Sequence, residues 1–198
     1  MRPELTKAEL IQGPAELPIS AEEIRTHLWT IYPEKTTDEY LELLIKAATS
    51  HVETVTWRKL VSQKWRLYLD RWPVGGIVLP FGSVVSVEMV KWLDGDGVDH
   101  TLVSGSDYLP AVVGPEPMVM PLGSSWPSGT LFDVDPIRVE FTAGFGSKDK
   151  VPEDLRQAIQ LLAAHWYEVR EAVVVGTTVR KVPFAVDALI GPWKVRRW

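Results

Sequence analysis

Apolar and polar positions recur with two different periods along this chain, and the places where the period changes divide it. In "ISAEEIRTHLW", Ser20 stands three residues before Glu23, the spacing of a capping box, and Ile19 with Ile24 has the spacing of a hydrophobic staple. A short helix over about 20–31 follows, closed by Pro33. Thr36 with Glu39 opens a second, longer helix over about 37–57. There Leu41, Leu44, Ile45, Ala48, Val52 and Val55 fall on one face at helical spacing.

Near residue 60 the period drops to two. In "VSQKWRLYLDRW", Val61, Trp65, Leu67 and Leu69 lie on one side of an extended segment, with Lys64, Arg66 and Asp70 on the other. Further short strands are predicted at Ile77–Leu79, Val84–Trp92, Thr101–Val103, Tyr108–Val113, Met118–Leu122 and Ile137–Thr142, separated by Gly, Pro, Asp and Ser. The stretch 60–145 is therefore expected to be an all-β insert of barrel or small-sandwich kind.

Helical spacing returns in "VPEDLRQAIQLLAAHWYEVREA". Pro152 suits the first helical position, and Glu153 and Asp154 suit the positive end of the helix dipole. Leu155, Ile159, Leu162, Trp166 and Val169 make the apolar stripe. An extended segment interrupted by Gly176 leads to a last short helix, "FAVDALI", stopped by Gly191 and Pro192. The expected fold class is α+β: a helical bundle with two N-terminal helices and one long and one short C-terminal helix, an inserted all-β barrel or sandwich-like domain, and a C-terminal tail. The expected boundaries are an extended, mobile N-terminal arm at 1–18, a helical core at 19–59 and 146–191, the β insert at 60–145, and a tail at 192–198.

Composition narrows the function classes. The 198 residues suffice for a sizeable core, and a hydrophobic share of 45% with 24% charged residues is ordinary for a globular chain. No apolar run approaches the roughly 18 residues of a membrane span and the N-terminus lacks a signal-peptide stretch, so a cytoplasmic site of synthesis and no membrane partner are expected. The absence of cysteine agrees and removes disulfides, thiolate nucleophiles and Cys-type zinc sites. A net charge of −5 argues against a protein whose main task is to coat a phosphate backbone. Nine tryptophans stand out, because their rings are favoured in interfaces as well as in cores.

Candidate chemistry is sparse. Gly144 and Gly146 lie between a strand and a helix, as in phosphate-cradling loops, but the third glycine and the Lys-Ser/Thr pair are missing. A turn that needs glycine's conformational freedom explains them better. Asp94, Asp96 and Asp99 in "DGDGVDH" lack the helical flanks and the terminal Glu of a calcium loop, and Asp-Gly is a favoured hairpin turn. None of His27, His51, His100 and His165 forms a helical zinc pair, and His165 with Glu168 is a polar pair on a mixed helix face. There is no Gly-x-Ser-x-Gly elbow. No catalytic residue, cofactor or metal is expected, and the chain is read as a non-enzyme.

The terminal "GPWKVRRW" is the most distinctive stretch. Trp193 and Trp198 enclose Lys194, Val195, Arg196 and Arg197, a composition enriched at binding hot spots. Six residues offer little apolar area for a membrane surface. Stacking on nucleic acid, a frayed end and a peptide docking into another protein all remain readings of these residues alone.

Taken in order, "TWRKLVSQKWRLYLDRWP", "LPFGSVVSVEMVKWLDGDG", "WP", "VEFTAGFG", "VPEDLRQAIQLLAAHWYEVREAV" and "PFAVDALIGPW" resemble the head-tail connector (adaptor) family of tailed phages, prophages and gene transfer agents, over about residues 19–193. The resemblance implies a structural adaptor that forms a ring, typically of twelve copies, under the portal in the neck of a virion assembled in the bacterial cytoplasm. It implies a stopper or tail-completion protein below, and packaged DNA passing through the lumen without sequence-specific contact. It also implies that the C-terminal segment engages the portal, which here would be Trp193, Lys194, Val195, Arg196, Arg197 and Trp198. A DNA-binding packaging accessory is the alternative that the basic, aromatic terminus leaves open.

Overall fold

The computed structural model describes residues 8–28, 37–114, 116–123, 125–168 and 184–195. They fall into two compact units. One, the β unit, comprises the described residues of 1–15, 62–145 and 195–198, and the other, the helical unit, those of 16–61 and 146–194.

The β unit holds two antiparallel sheets. Strands β1 (Ala8–Gln12), β2 (Gln63–Leu69), β4 (Val84–Leu93), β5 (Asp99–Leu102) and β8 (Ile137–Ala143) form a five-stranded sheet in the order β1-β2-β8-β4-β5. Strands β3 (Ile77–Val78), β6 (Tyr108–Ala111) and β7 (Met118–Pro121) form a three-stranded sheet in the order β3-β7-β6. Both sheets are open, so of the barrel-or-sandwich expectation the barrel is not what forms: β1 and β5 are edges of the larger sheet, β3 and β6 of the smaller.

Alternation explains how the sheets meet. In β8, Ile137, Val139, Phe141 and Ala143 are buried and the residues between them are not, and the register Leu67↔Val139 and Val90↔Val139 carries the same inward row across β2 and β4. From the smaller sheet Ile77, Val119 and Tyr108 enter the same core, with Leu79, Phe81 and Trp126 from the connections. At about 1.5–3 kcal/mol for each large apolar side chain buried, this shared core is the main stabilising element of the unit. Trp72 and Trp126 stack at 4.8 Å and 9°, and Trp126 Nε1 donates to the Gly75 carbonyl at 2.7 Å.

The outward row of the larger sheet is polar. Arg66 opposes Glu140 across the β2–β8 register and donates from Nε at 2.9 Å. Arg66 also donates to Tyr68 Oη at 3.3 Å, and Tyr68 donates to Glu9 of β1 at 2.7 Å. The hydrogen bonds to Tyr68 and Glu140 raise the Arg66 guanidinium pKa above its ordinary value. That ladder places Ala8–Gln12 as an edge strand on β2, where a mobile arm was expected. All five residues of β1 are exposed, so backbone pairing and Glu9, not an apolar period, hold it.

The helical unit contains α1 (Ala21–His27), α2 (Asp38–Thr56), α3 (Glu153–Glu168) and α4 (Phe184–Ile190). The Ser20–Glu23 capping box is formed in both directions, at 3.2 and 2.7 Å. The cap of α2 is Thr37, one residue later than expected, its hydroxyl accepting from the Tyr40 N–H at 3.4 Å; Thr36 and Pro33 lie outside the described residues. On α2 the buried positions are Leu41, Ile45, Ala48, Val52 and Thr56, and on α3 they include Leu155, Ala158, Ile159, Leu162 and Tyr167. Arg156 of α3 ties the N-terminal connection to the bundle by pairing with Glu23 and donating to the Pro18 carbonyl at 3.3 Å. Partial burial pushes the Glu23 pKa up, but hydrogen bonds from Ser20 and the charges of Arg156 and Lys148 outweigh it and hold the carboxyl below its ordinary value.

Candidate docking terminus

The C-terminal segment begins on α4, whose Val186 and Ile190 are buried. Gly191 and Pro192 end that helix, yet the chain does not leave the unit there. Gly191–Trp193 form one 3₁₀ turn, closed by the Lys194 N–H on the Gly191 carbonyl at 3.4 Å.

A clasp at the end of α2 holds this turn. Trp57 caps α2 in the left-handed region at φ 55°, a conformation costing a non-glycine residue roughly 1–2 kcal/mol, and it redirects the chain just before Arg58. Arg58 Nε donates to the Trp193 carbonyl at 2.8 Å, and its guanidinium carbon lies 6.0 Å from the Trp193 ring centroid, at the outer limit of a cation–π contact. Trp193 Nε1 points to Asp154 Oδ2 at 3.5 Å. Burial lowers the Arg58 pKa from its ordinary value, as expected for a cation withdrawn from water. Nearby, Glu53 fixes the following residues, accepting from Lys59 Nζ at 2.9 Å and from the Leu60 N–H at 3.0 Å.

Of the residues named from the sequence for portal binding, Trp193 is thus engaged within the helical unit. Lys194 approaches Asp187 of α4 at 3.8 Å, and Val195 follows without regular structure. Arg196, Arg197 and Trp198 lie outside the described residues. Sequence reasoning missed Arg58: it stands 135 positions from Trp193, and no local pattern marks such a partner.

The other candidates resolve as local structure. Asp94 Oδ1 accepts from the N–H groups of Asp96 at 3.1 Å and Val98 at 2.9 Å, and Oδ2 meets His100 Nε2 at 2.7 Å, so this carboxylate closes the β4–β5 hairpin. The hydrogen bond to His100, then that from Val98, lowers the Asp94 pKa. Gly144 and Gly146 adopt φ of 134° and 125°, values that L side chains rarely reach. His51 sits edge-on to Trp166 at 6.3 Å. Among the described residues no three His, Asp or Glu side chains gather as a metal site, and no helix is long and apolar enough to cross a membrane.

Comparison with known proteins supplies the context. Residues 136–194 match the family of phage gp6-like head-tail connector proteins. No curated protein sequence matches the chain. Among solved structures, a chain in the neck of an empty gene transfer agent particle, computed with C6 symmetry, is 29% identical with a TM-score of 0.81, over 98% of this chain and 97% of that one. A chain of the virion of a native gene transfer agent particle is 27% identical with a TM-score of 0.82, over 98% and 97%. A chain in the neck of the native particle, computed with C12 symmetry, is 29% identical with a TM-score of 0.76, again over 98% and 97%. The family match spans β8, α3 and the clasped terminus and the likeness to neck chains spans nearly the whole chain, so what this chain is similar to, by both comparisons, is the head-tail connector proteins of phages and the neck chains of gene transfer agents.

Proposed function

We propose that this chain is a structural adaptor in the neck of a tailed phage or gene transfer agent, assembled in the bacterial cytoplasm as a ring under the portal and offering a platform for a stopper or tail-completion protein. The observation that carries this reading is the near full-length likeness to chains of necks with C6 and C12 symmetry, from which a ring of twelve copies is inferred. The helical unit is assigned the ring body, with the β unit as its insert. An acidic chain suits a DNA channel, since a net charge of −5 disfavours retention of a phosphate backbone that must slide through.

The portal-docking segment is assigned to the C-terminus, with a division of labour that the clasp suggests: Trp193 anchors, and Lys194, Val195, Arg196, Arg197 and Trp198 engage the portal. Twelvefold repetition would make a weak single contact into a firm joint. Particles made without the chain are expected to be filled heads without tails. A chain ending at Trp193 should keep its fold and lose portal binding; normal docking by that truncated chain would overturn the assignment of the terminus. Salt-sensitive duplex binding by the isolated protein would favour a DNA-binding packaging accessory instead.

A further inference from the structure

The three-stranded sheet is apolar on both faces. The registers Val78↔Met118, Leu109↔Met120 and Ala111↔Met118 put these five side chains on one face, opposite the face that sends Ile77, Val119 and Tyr108 into the core. Val78 is 46%, Leu109 50% and Met120 38% exposed, and Leu122, which continues the β7 row, is 47% exposed. A Cβ at Gly76 would strike Met120 Sδ and come within 3.3 Å of Met118 Sδ, so both thioethers lie over the backbone there and extend the apolar surface to that strand end. None of these side chains carries a charge or a strong hydrogen-bonding group.

An antiparallel sheet facing water on one side alternates apolar with polar residues, as β8 of the five-stranded sheet does; strands covered on both sides read as continuous apolar runs. "YLPA" in β6 and "MVMP" in β7 are of the second kind. Exposed apolar surface forgoes about 25 cal/mol for each Å² that a partner would cover. The face lacks the cations that a nucleic-acid site needs. In a ring each copy buries one surface against the copy on one side and a different surface against the copy on the other, and permanent contacts between copies have apolar, charge-poor cores. Methionine suits such a contact because its flexible thioether fills irregular gaps.

We propose that the outward face of β3-β7-β6, centred on Val78, Leu109, Met118 and Met120, is a surface by which the β unit of each copy meets its neighbour in the ring, in addition to the contacts of the helical ring body. This rests on the ring reading above. The partner is a second copy of this chain, meeting the face through a different surface of its own.

The lack of native cysteine permits a direct test with full-length protein in assembled particles. Met120→Cys and Leu109→Cys chains are labelled with a maleimide, free and in purified particles, and separately carry a thiol-anchored photo-crosslinker. Labelling is expected to slow about tenfold or more on assembly, as for a group in an interface core. The crosslink should yield a species of twice the chain mass containing only this chain's peptides. Unchanged labelling in particles, or a crosslinked product containing another protein, would overturn the proposal. Absence of the wild-type chain from purified necks is a separate result, sinking the adaptor reading itself. Met120→Glu, keeping the wild-type melting temperature, should enter particles about tenfold less well, the loss expected for a charge buried in an interface core; normal incorporation would also overturn it.

Discussion

Arg66, Glu140, Arg138 and Lys91 occupy the outward row of the five-stranded sheet, whereas Val78, Leu109, Met118 and Met120 occupy that of the three-stranded sheet. The inward rows are alike, both apolar and both part of one core. Folding of the β unit alone requires the inward rows, because burial of apolar surface is what offsets the lost chain entropy. The outward rows are free to answer to something else. In the larger sheet they answer to water, through cross-strand ion pairs; in the smaller Val78, Leu109 and Met120 stay exposed, the surface proposed above to meet a second copy.

The sharpest way to test that separation is to damage the shared row. Phe141 is fully buried, stands 6.2 Å from Phe81, and belongs to the strand that pairs on both sides. Phe141→Ala is expected to destabilise the β unit by about 3–5 kcal/mol, read from urea denaturation, and to loosen both sheets together. Loosening of only one sheet, seen by amide exchange, would mean that the core is less shared than the packing indicates. Substituting the outward Met120 by Glu should change the stability of the free chain by less than about 0.5 kcal/mol, since no folded-state contact with the core is lost.

How far the sequence foretold this contrast depends on the residue. The inward rows were legible, because a period of two in "VSQKWRLYLDRW" or "IRVEFTA" states which side is apolar. The outward apolar face was not: it appears only once register sets Leu109 beside Met120 and Met118 beside Val78. Ala8–Gln12 escaped as a strand because a wholly exposed edge strand has no burial period to display. The tryptophan count was open to interfaces and cores alike; Trp65, Trp72, Trp92 and Trp126 serve the β unit's core, a division that composition does not encode. In the terminus, the stop at Gly191 and Pro192 was legible and the clasp on Trp193 was not.

That clasp gives a control from the other unit. Arg58→Ala removes the donor to the Trp193 carbonyl and a cation withdrawn from water, so the helical unit should lose about 1.5–3 kcal/mol, the usual worth of a hydrogen bond to a charged group. The Lys194 amide should exchange faster, while amides of both sheets keep their rates. On the polar face, Arg66 and Glu140 form a partly exposed pair, and a double-mutant cycle with alanine should return a coupling of about 0.5–1 kcal/mol that shrinks with added salt. A coupling of zero would leave backbone pairing and the inward apolar row to hold β2 against β8, and would weaken the claim that this face is built for water.

The smallest expected effect lies at the tip of the polar sheet. Asp94 has its pKa lowered in the fold, first by the His100 hydrogen bond and then by the Val98 N–H. A carboxylate with a depressed folded pKa contributes stability above its unfolded pKa and loses it as pH falls through the folded value. Unfolded aspartate titrates near pH ~4, so the hairpin should loosen progressively below that point and stay unaffected above it. Exchange at the Asp96 and Val98 amides reports it, since both donate to Asp94 Oδ1. Asp94→Asn should remove the pH dependence at these two amides, because the amide keeps an acceptor oxygen but cannot titrate. The amides of β6 and β7 should show no step in this range until the whole unit unfolds. If they loosened together with the Asp94 hairpin, the two sheets would respond to acid as one body, and the electrostatic distinction between their outward faces would have no consequence for how the unit holds together.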